Sequence, residues 1–344
     1  MTRHRVRQSK SVFLSLALSF IFLRSPGRAA EWVGPLRETD KPVWGIEGGL
    51  RFGIFPGSVT GGDPGGPRGL IRIGYPTLQN GAYDLVNFIA IEPVVGRKKG
   101  FSELEPSRLD GKPGKLFWAL PKFEESRSGG RNGYVRALSD GVERLEVLLR
   151  VEKFANGAHP YLVLSQQSDA PGEISFTIHA EPDSAAMDYC ILSATMGNKG
   201  RARLLWLKDQ TLSSLALYPD HKSVDFARST FFPVYALHFN SPGDVFVAVT
   251  NDEENPAAVH PFPDSEAWFY GGAKVTQYWK QPKGALRDGL HVRVNARYTY
   301  WQSRQPIPGG VAFENFELRD RFYEGQQFIF GVSTQTPAEL TKGF

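Results

Sequence analysis

The chain is poor in cysteine, in helical periodicity and in long apolar runs, and each shortage excludes something. One cysteine, Cys190, in 344 residues rules out an intrachain disulfide. It lies in the apolar stretch Asp188-Tyr189-Cys190-Ile191-Leu192, where a free cysteine is ordinarily an inert core residue. Stability must then come from a core, and the chain is long enough to bury one. The longest apolar run near the start, Ser11 to Leu23, has 13 residues. That is short of the roughly 20 needed to span a bilayer as a helix. No Gly-x-x-x-x-Gly-Lys, His-Glu-x-x-His or Gly-x-Ser-x-Gly occurs, so nucleotide-loop, zinc-protease and serine-hydrolase readings lack support. The sequence calls for no cofactor and no metal. Asp252-Glu253-Glu254-Asn255 offers hard oxygens but follows no calcium-loop pattern.

Residues 1–30 read as a secretory signal peptide. Arg3, Arg5, Arg7 and Lys10 come first, the apolar run follows, and Gly27-Arg28-Ala29-Ala30 supplies small residues. Cleavage is expected near Ala29 or Ala30, leaving a secreted or periplasmic protein without a membrane span. Removing the six basic residues of this segment turns the formal charge of +4 into −2 for residues 31–344. The compact basic run Arg97-Lys98-Lys99 is too small for a phosphate-binding stripe, so nucleic acid is not an expected partner. Oligomeric state is left open.

What the chain does have is strand-like alternation. The stretch Gly45 to Gly100 holds 14 of the 36 glycines and alternates short strands with turns. Leu85 to Val95 is apolar apart from Asn87 and Glu92, as a doubly buried strand would be. Further strands are expected at 144–151, 161–165, 174–179, 189–194, 203–207, 234–239 and 245–250, punctuated by turn signals such as Asn156-Gly157 and Pro171-Gly172. Helix is limited to short turns near Ala185, Ser213 or Ala267. The fold class is all-β, a large antiparallel sandwich, with residues 31–344 forming one domain.

The C-terminal part draws most attention. His291, Arg293, Asn295 and Arg297 alternate with Val292, Val294, Ala296 and Tyr298, which puts a polar row on one strand face. With Tyr300 and Trp301 nearby, that row suits a polyhydroxylated or anionic ligand such as a glycan. In the next strand, Val311 to Leu318, alternation groups Glu314 with Ala312, Phe316 and Leu318, where desolvation would raise its pKa toward general acid–base use; the alternatives are a structural ion pair with an arginine, or a bulge that shifts the alternation. The bland counterpart for this face is a solvated sheet surface with cross-strand ion pairs. Further aromatics at Trp268, Phe269, Tyr270, Tyr278 and Trp279 divide between core and a stacking platform.

Three segments together carry a resemblance. They are Tyr189 to Asn198 leading into the strand around Leu204, Val311 to Leu318 followed by Gly325-Gln326-Gln327-Phe328, and Tyr235-Ala236-Leu237-His238-Phe239-Asn240. Over roughly the latter half, their strand order and local pattern resemble galactose mutarotase-like proteins of the aldose 1-epimerase and polysaccharide lyase type. The resemblance implies a β-supersandwich with a carbohydrate-binding face, Glu314 at the position of the base and His238 at that of the acid. The epimerase Asn-Arg pattern near the N-terminus is absent, and the glycine-rich block is foreign to the family. Three functions stay open: an epimerase-like enzyme using Glu314 and His238, a lyase acting on uronate by β-elimination, and a non-catalytic structural or glycan-binding module. In a lyase His291 or its neighbours would serve as base, with Arg293, Asn295 and Arg297 neutralising the carboxylate and a tyrosine returning the proton.

Overall fold

In the computed structural model the described residues are 30–37, 39–57, 59, 68–76, 83–120, 133–138, 141–196, 202–239, 243–252, 260–262, 265–270, 275–282, 289–300 and 304–343. The expected signal segment apart from Ala30, residues 61–66 of the glycine-rich stretch and Trp301 therefore lie outside them. No described helix is long and apolar enough to cross a membrane.

The described chain is an antiparallel β-sandwich. A ten-stranded sheet runs Trp32–Val33, Val43–Ile46, Arg51–Ile54, Leu70–Tyr75, Asp84–Val95, Tyr189–Met196, Ala312–Arg319, His291–Arg297 and Thr230–Pro233, with Lys98–Lys99 added beside Asp84–Val95. An eleven-stranded sheet runs Thr211–Ser213, Leu204–Trp206, Val245–Thr250, Thr276–Gln281, Gln326–Ser333, Glu173–Ala180, Pro160–Gln167, Glu143–Val151 and Phe117–Leu120. His238–Phe239 and Tyr134–Ala137 extend it at Val245–Thr250 and Glu143–Val151. His260–Phe262 and Ser265–Tyr270 form a separate pair.

The alternation read from sequence explains why the sheets stack. Ile89, Ile91, Leu192, Val292, Val294, Phe316 and Leu318 of the first sheet meet Val147, Leu149, Leu164, Phe176, Val247 and Phe328 of the second in one cluster. Trp279 sits at its centre, 1% exposed. Its ring lies 5.0 Å from that of Phe330 and 6.1 Å from that of Phe176. Its indole N–H crosses between the sheets to donate to the Phe316 carbonyl at 3.0 Å. Asn87 and Gln277 make a second buried bridge between sheets, at 2.8 Å. A buried N–H or amide without a partner is costly, so these bonds fix the registry of the two layers as well as joining them.

Two local expectations fail. Residues 234–239 do not run as a strand. Val234–Ala236 is a 3₁₀ turn with no buried side chain, and only His238–Phe239 pairs. Pro233 has no N–H to continue a ladder and Tyr235 is 75% exposed, so the chain turns here, with Leu237 anchoring it in the core and Val234 packed against it. Of the short helical turns allowed at most near Ala185, Ser213 or Ala267, the first is absent and the last is instead the strand Ser265–Tyr270, whose aromatic run favours extended backbone. The turn expected near Ser213 is present as the single-turn helix Ser214–Leu217, capped by the Ser213 side chain.

Candidate functional site

The face of the ten-stranded sheet turned away from the core carries a pocket of about 360 Å³. That lies at the small end of ligand-binding cavities. The Asp84–Val95 strand supplies Phe88 and Glu92, and Tyr189–Met196 supplies Thr195. Arg293 and Asn295 come from His291–Arg297, and Glu314 and Asn315 from Ala312–Arg319. Two segments roof these residues. One contributes Lys99, Phe101, Glu103 and Leu104, the other Phe226 to Ser229.

Both roof segments are pinned by hydrogen bonds. Ser102 accepts from the Ile91 amide at 2.9 Å and donates to the Gly69 carbonyl at 2.5 Å. Gly69 adopts φ 75° against the Ser102 backbone, and a Cβ there would overlap the Ser102 carbonyl. Only glycine meets both demands. The second segment is held by the Ala227 amide donating to the Ala296 carbonyl at 2.8 Å. Arg297 donates to the Val224 carbonyl at 3.1 Å and lies 5.1 Å from the Phe226 ring.

A bulge places the two central side chains. In the register between His291–Arg297 and Ala312–Arg319, Val294 faces Phe316 and Ala296 faces Phe313, so Asn295 alone stands opposite Glu314 and Asn315. Two residues against one bends the strand and re-aims the extra side chain. The Asn295 side-chain carbonyl accepts from the Asn315 amide at 3.0 Å, satisfying the N–H that the bulge strips of its ladder partner. Simple alternation groups Glu314 with Phe316 and Leu318, and here the structure differs. Those two join the core, whereas Glu314 opens onto the pocket.

Glu314 is almost fully buried, and desolvation raises its carboxyl to about 7 despite the opposing charge of Arg297. Behind the pocket Glu317 has no exposure at all. It accepts from Arg293 at 2.6 Å, from Arg319 at 2.6 Å and from Ser193 at 2.7 Å. Burial pushes Glu317 up, but the two guanidiniums, Lys99 and Ser193 overcome it and hold the carboxyl below its ordinary value. Glu92, ion-paired with Lys99, moves the other way, raised by burial and then by the negative charge of Glu317. Burial also raises Glu103. The wall thus carries one firmly ionised carboxylate behind it and three carboxyls whose ionisation is disfavoured.

The site residues expected from sequence divide into three groups. Glu314, Arg293 and Asn295 come together in the pocket. Arg297 stands behind Glu314, buried, with a second bond to the Tyr300 carbonyl at 3.4 Å, and Tyr300 thereby contributes backbone to the arginine's support. His291 and His238 lie elsewhere. His291 bonds the Gly289 carbonyl at 2.7 Å and stands beside the Phe231 ring at 5.6 Å, outside the pocket lining. His238 belongs to the other sheet, where burial lowers its pKa and it lines a separate cleft with Lys208, Asp209 and Pro337. Glu314 and His238 therefore do not converge. The polar row is not a solvated surface, because Asn295 and Arg297 are 3% and 6% exposed, but it does hold a cross-strand ion pair, Arg293 with Glu317.

Other expectations resolve as structure. Cys190 is buried, with its thiol pushed up to about 12 by desolvation. Trp279 is core and Tyr278 donates to Glu173 at 2.8 Å, while the side chains of Trp268, Phe269 and Tyr270 fall outside the described residues. Among described residues no group of three or more His, Cys, Asp or Glu side chains is arranged to hold a metal.

Lys99, Phe101, Thr195, Phe226 and Asn315 also line the pocket, and their sequence context does not mark them for it. One signal was visible: Glu92 is the sole carboxylate within the apolar run 85–95. Among the roof residues only Glu103 stood out, as a carboxylate close in sequence to Glu105 and Asp110; the arrival of the others over the sheet depends on the Ser102 and Ala227 tethers.

No protein-family model matches the chain, and no curated protein matches it.

Proposed function

We propose that the protein is a carbohydrate-binding or carbohydrate-processing β-sandwich of the galactose mutarotase-like class, taking part of an oligo- or polysaccharide into the pocket over the ten-stranded sheet. The observation that carries this reading is the composition of the lining. Asn295, Asn315, Thr195 and Ser229 offer hydroxyl-matching polar groups, and Phe88, Phe101 and Phe226 offer apolar surface against which a pyranose ring can pack. Glu314, near neutrality in pKa, is the group best placed to exchange a proton with a bound hydroxyl.

The residues favour some chemistries over others. The described lining contains neither histidine nor tyrosine, so proton transfer here would run on the carboxyls of Glu314, Glu92 and Glu103. A His238-dependent epimerase and a tyrosine-dependent lyase both draw on groups outside this pocket. The second reading, a non-catalytic glycan-binding module, keeps the pocket and dispenses with proton transfer. Secretion, inferred from residues 1–30, would bring the protein to extracytoplasmic glycans.

The test is affinity electrophoresis of the purified protein in gels containing neutral or acidic polysaccharides, beside the Phe101→Ala variant. The expected result is retardation by at least one polysaccharide, weakened by loss of the Phe101 wall. Equal mobility in every gel would remove the carbohydrate reading.

A further inference from the structure

The charges around the pocket bear on which sugar it accepts. An acidic sugar brings a carboxylate that must find a cation on arrival, since an unpaired buried charge is costly. The strongest cations here are already engaged. Lys99 is paired with Glu92 and lies 4.8 Å from the Phe101 ring. Arg293 is paired with Glu317 at 2.6 Å and donates through Nε to Ser229 at 2.8 Å. Arg297 is buried behind Glu314 and donates to two backbone carbonyls. The remaining cation of the lining, Arg228, is exposed at the mouth, where solvent screens it.

The acceptors tell the complementary story. Glu103 presents a buried carboxyl oxygen, Oε2, that has no hydrogen-bond partner among the described residues. Glu314 and Glu92 stand on the same lining. Buried acceptors of this kind are completed by donors, and a sugar hydroxyl is one. A uronate would instead compete with Glu92 and Glu317 for cations they already hold, and its charge would further oppose ionisation of three carboxyls in which burial already disfavours it.

We propose that the pocket selects a neutral, hydroxyl-rich sugar and rejects uronates, the discrimination coming from the pre-paired Lys99 and Arg293 and the carboxyls of Glu92, Glu103 and Glu314. This selectivity rests on the carbohydrate reading given above. It makes the arginine row a structural support for the pocket floor instead of an anion-binding surface.

The experiment is isothermal titration at neutral pH, at low and at high salt, with neutral gluco-, galacto- and manno-oligosaccharides against oligogalacturonate and oligomannuronate of matched length. The expected result is a neutral ligand bound at least about tenfold more tightly than either uronate. Glu92→Gln, which deprives Lys99 of its partner, should strengthen uronate binding about tenfold and make it salt-sensitive. Glu103→Gln, which breaks no ion pair of the described residues, carries the same expectation in weaker form and serves if Glu92→Gln does not fold. A parent that binds uronates as tightly as neutral sugars overturns the selectivity while leaving the carbohydrate reading intact. Folded variants that leave uronate binding unchanged do the same. Binding of neither class overturns both.

Discussion

Glu314→Gln is the most informative single change, because glutamine imitates the protonated carboxyl in size and in lack of charge. In the folded protein the Glu314 carboxyl is raised from 4.5 to about 7. Between those values the folded state holds a proton that the unfolded chain has released, so stability falls as pH rises through this window and levels off above it. The shift corresponds to about 3 kcal/mol between pH 4.5 and pH 8. Glutamine has no such dependence. The variant's stability relative to the parent should therefore improve by about 3 kcal/mol across that range. Glu92 and Glu103 titrate in both proteins and cancel in the comparison. Urea unfolding of parent and variant at a series of pH values measures the difference directly. If the two curves run parallel from pH 4.5 to 8, Glu314 is not a desolvated acid, and the argument for its role in proton transfer goes with it.

The remaining predictions concern the supports. Arg293→Ala leaves Glu317 buried with one guanidinium fewer, and removal of one member of a buried pair should cost about 3–5 kcal/mol in urea unfolding; a loss under about 1 kcal/mol, the scale of a surface pair, would contradict the buried network. Trp279→Ala removes both the ring at the centre of the core and the bond to Phe316, so a loss of about 3–5 kcal/mol is expected by the same measurement, and a near-neutral result would mean the sheets are not joined there. Cys190, with its thiol raised to about 12, should resist a thiol reagent in the native protein and react fully in urea, and rapid native labelling would place it at the surface.

Much of the fold was legible because strand alternation is a short-range signal. The strands holding Val292, Val294, Phe316 and Leu318 announce their core face in sequence, and the structure buries those side chains between the sheets. The pocket was legible only in part. Arg293 and Asn295 follow strict alternation onto the outer face. Glu314 reaches that face through a bulge, which sequence alternation assigns to the wrong side. The grouping of Glu314 with His238 fails for a different reason. The strands that carry them enter different sheets, and which strands pair at long range is decided by packing of the whole sandwich. Cross-strand ion pairing on this face was legible as a possibility, but not its partner, since the Arg293–Glu317 contact depends on the register between two strands.

The central claim is that the pocket beneath Phe101 and Phe226 is where sugar binds, and a crystal structure of the protein with the tightest neutral oligosaccharide from the titrations tests it most directly. A pyranose ring is expected in that pocket, its hydroxyls on Asn315 and the carboxyls of Glu314 and Glu103. A sugar seated instead in the cleft of His238, Lys208 and Pro337 on the other sheet would contradict it.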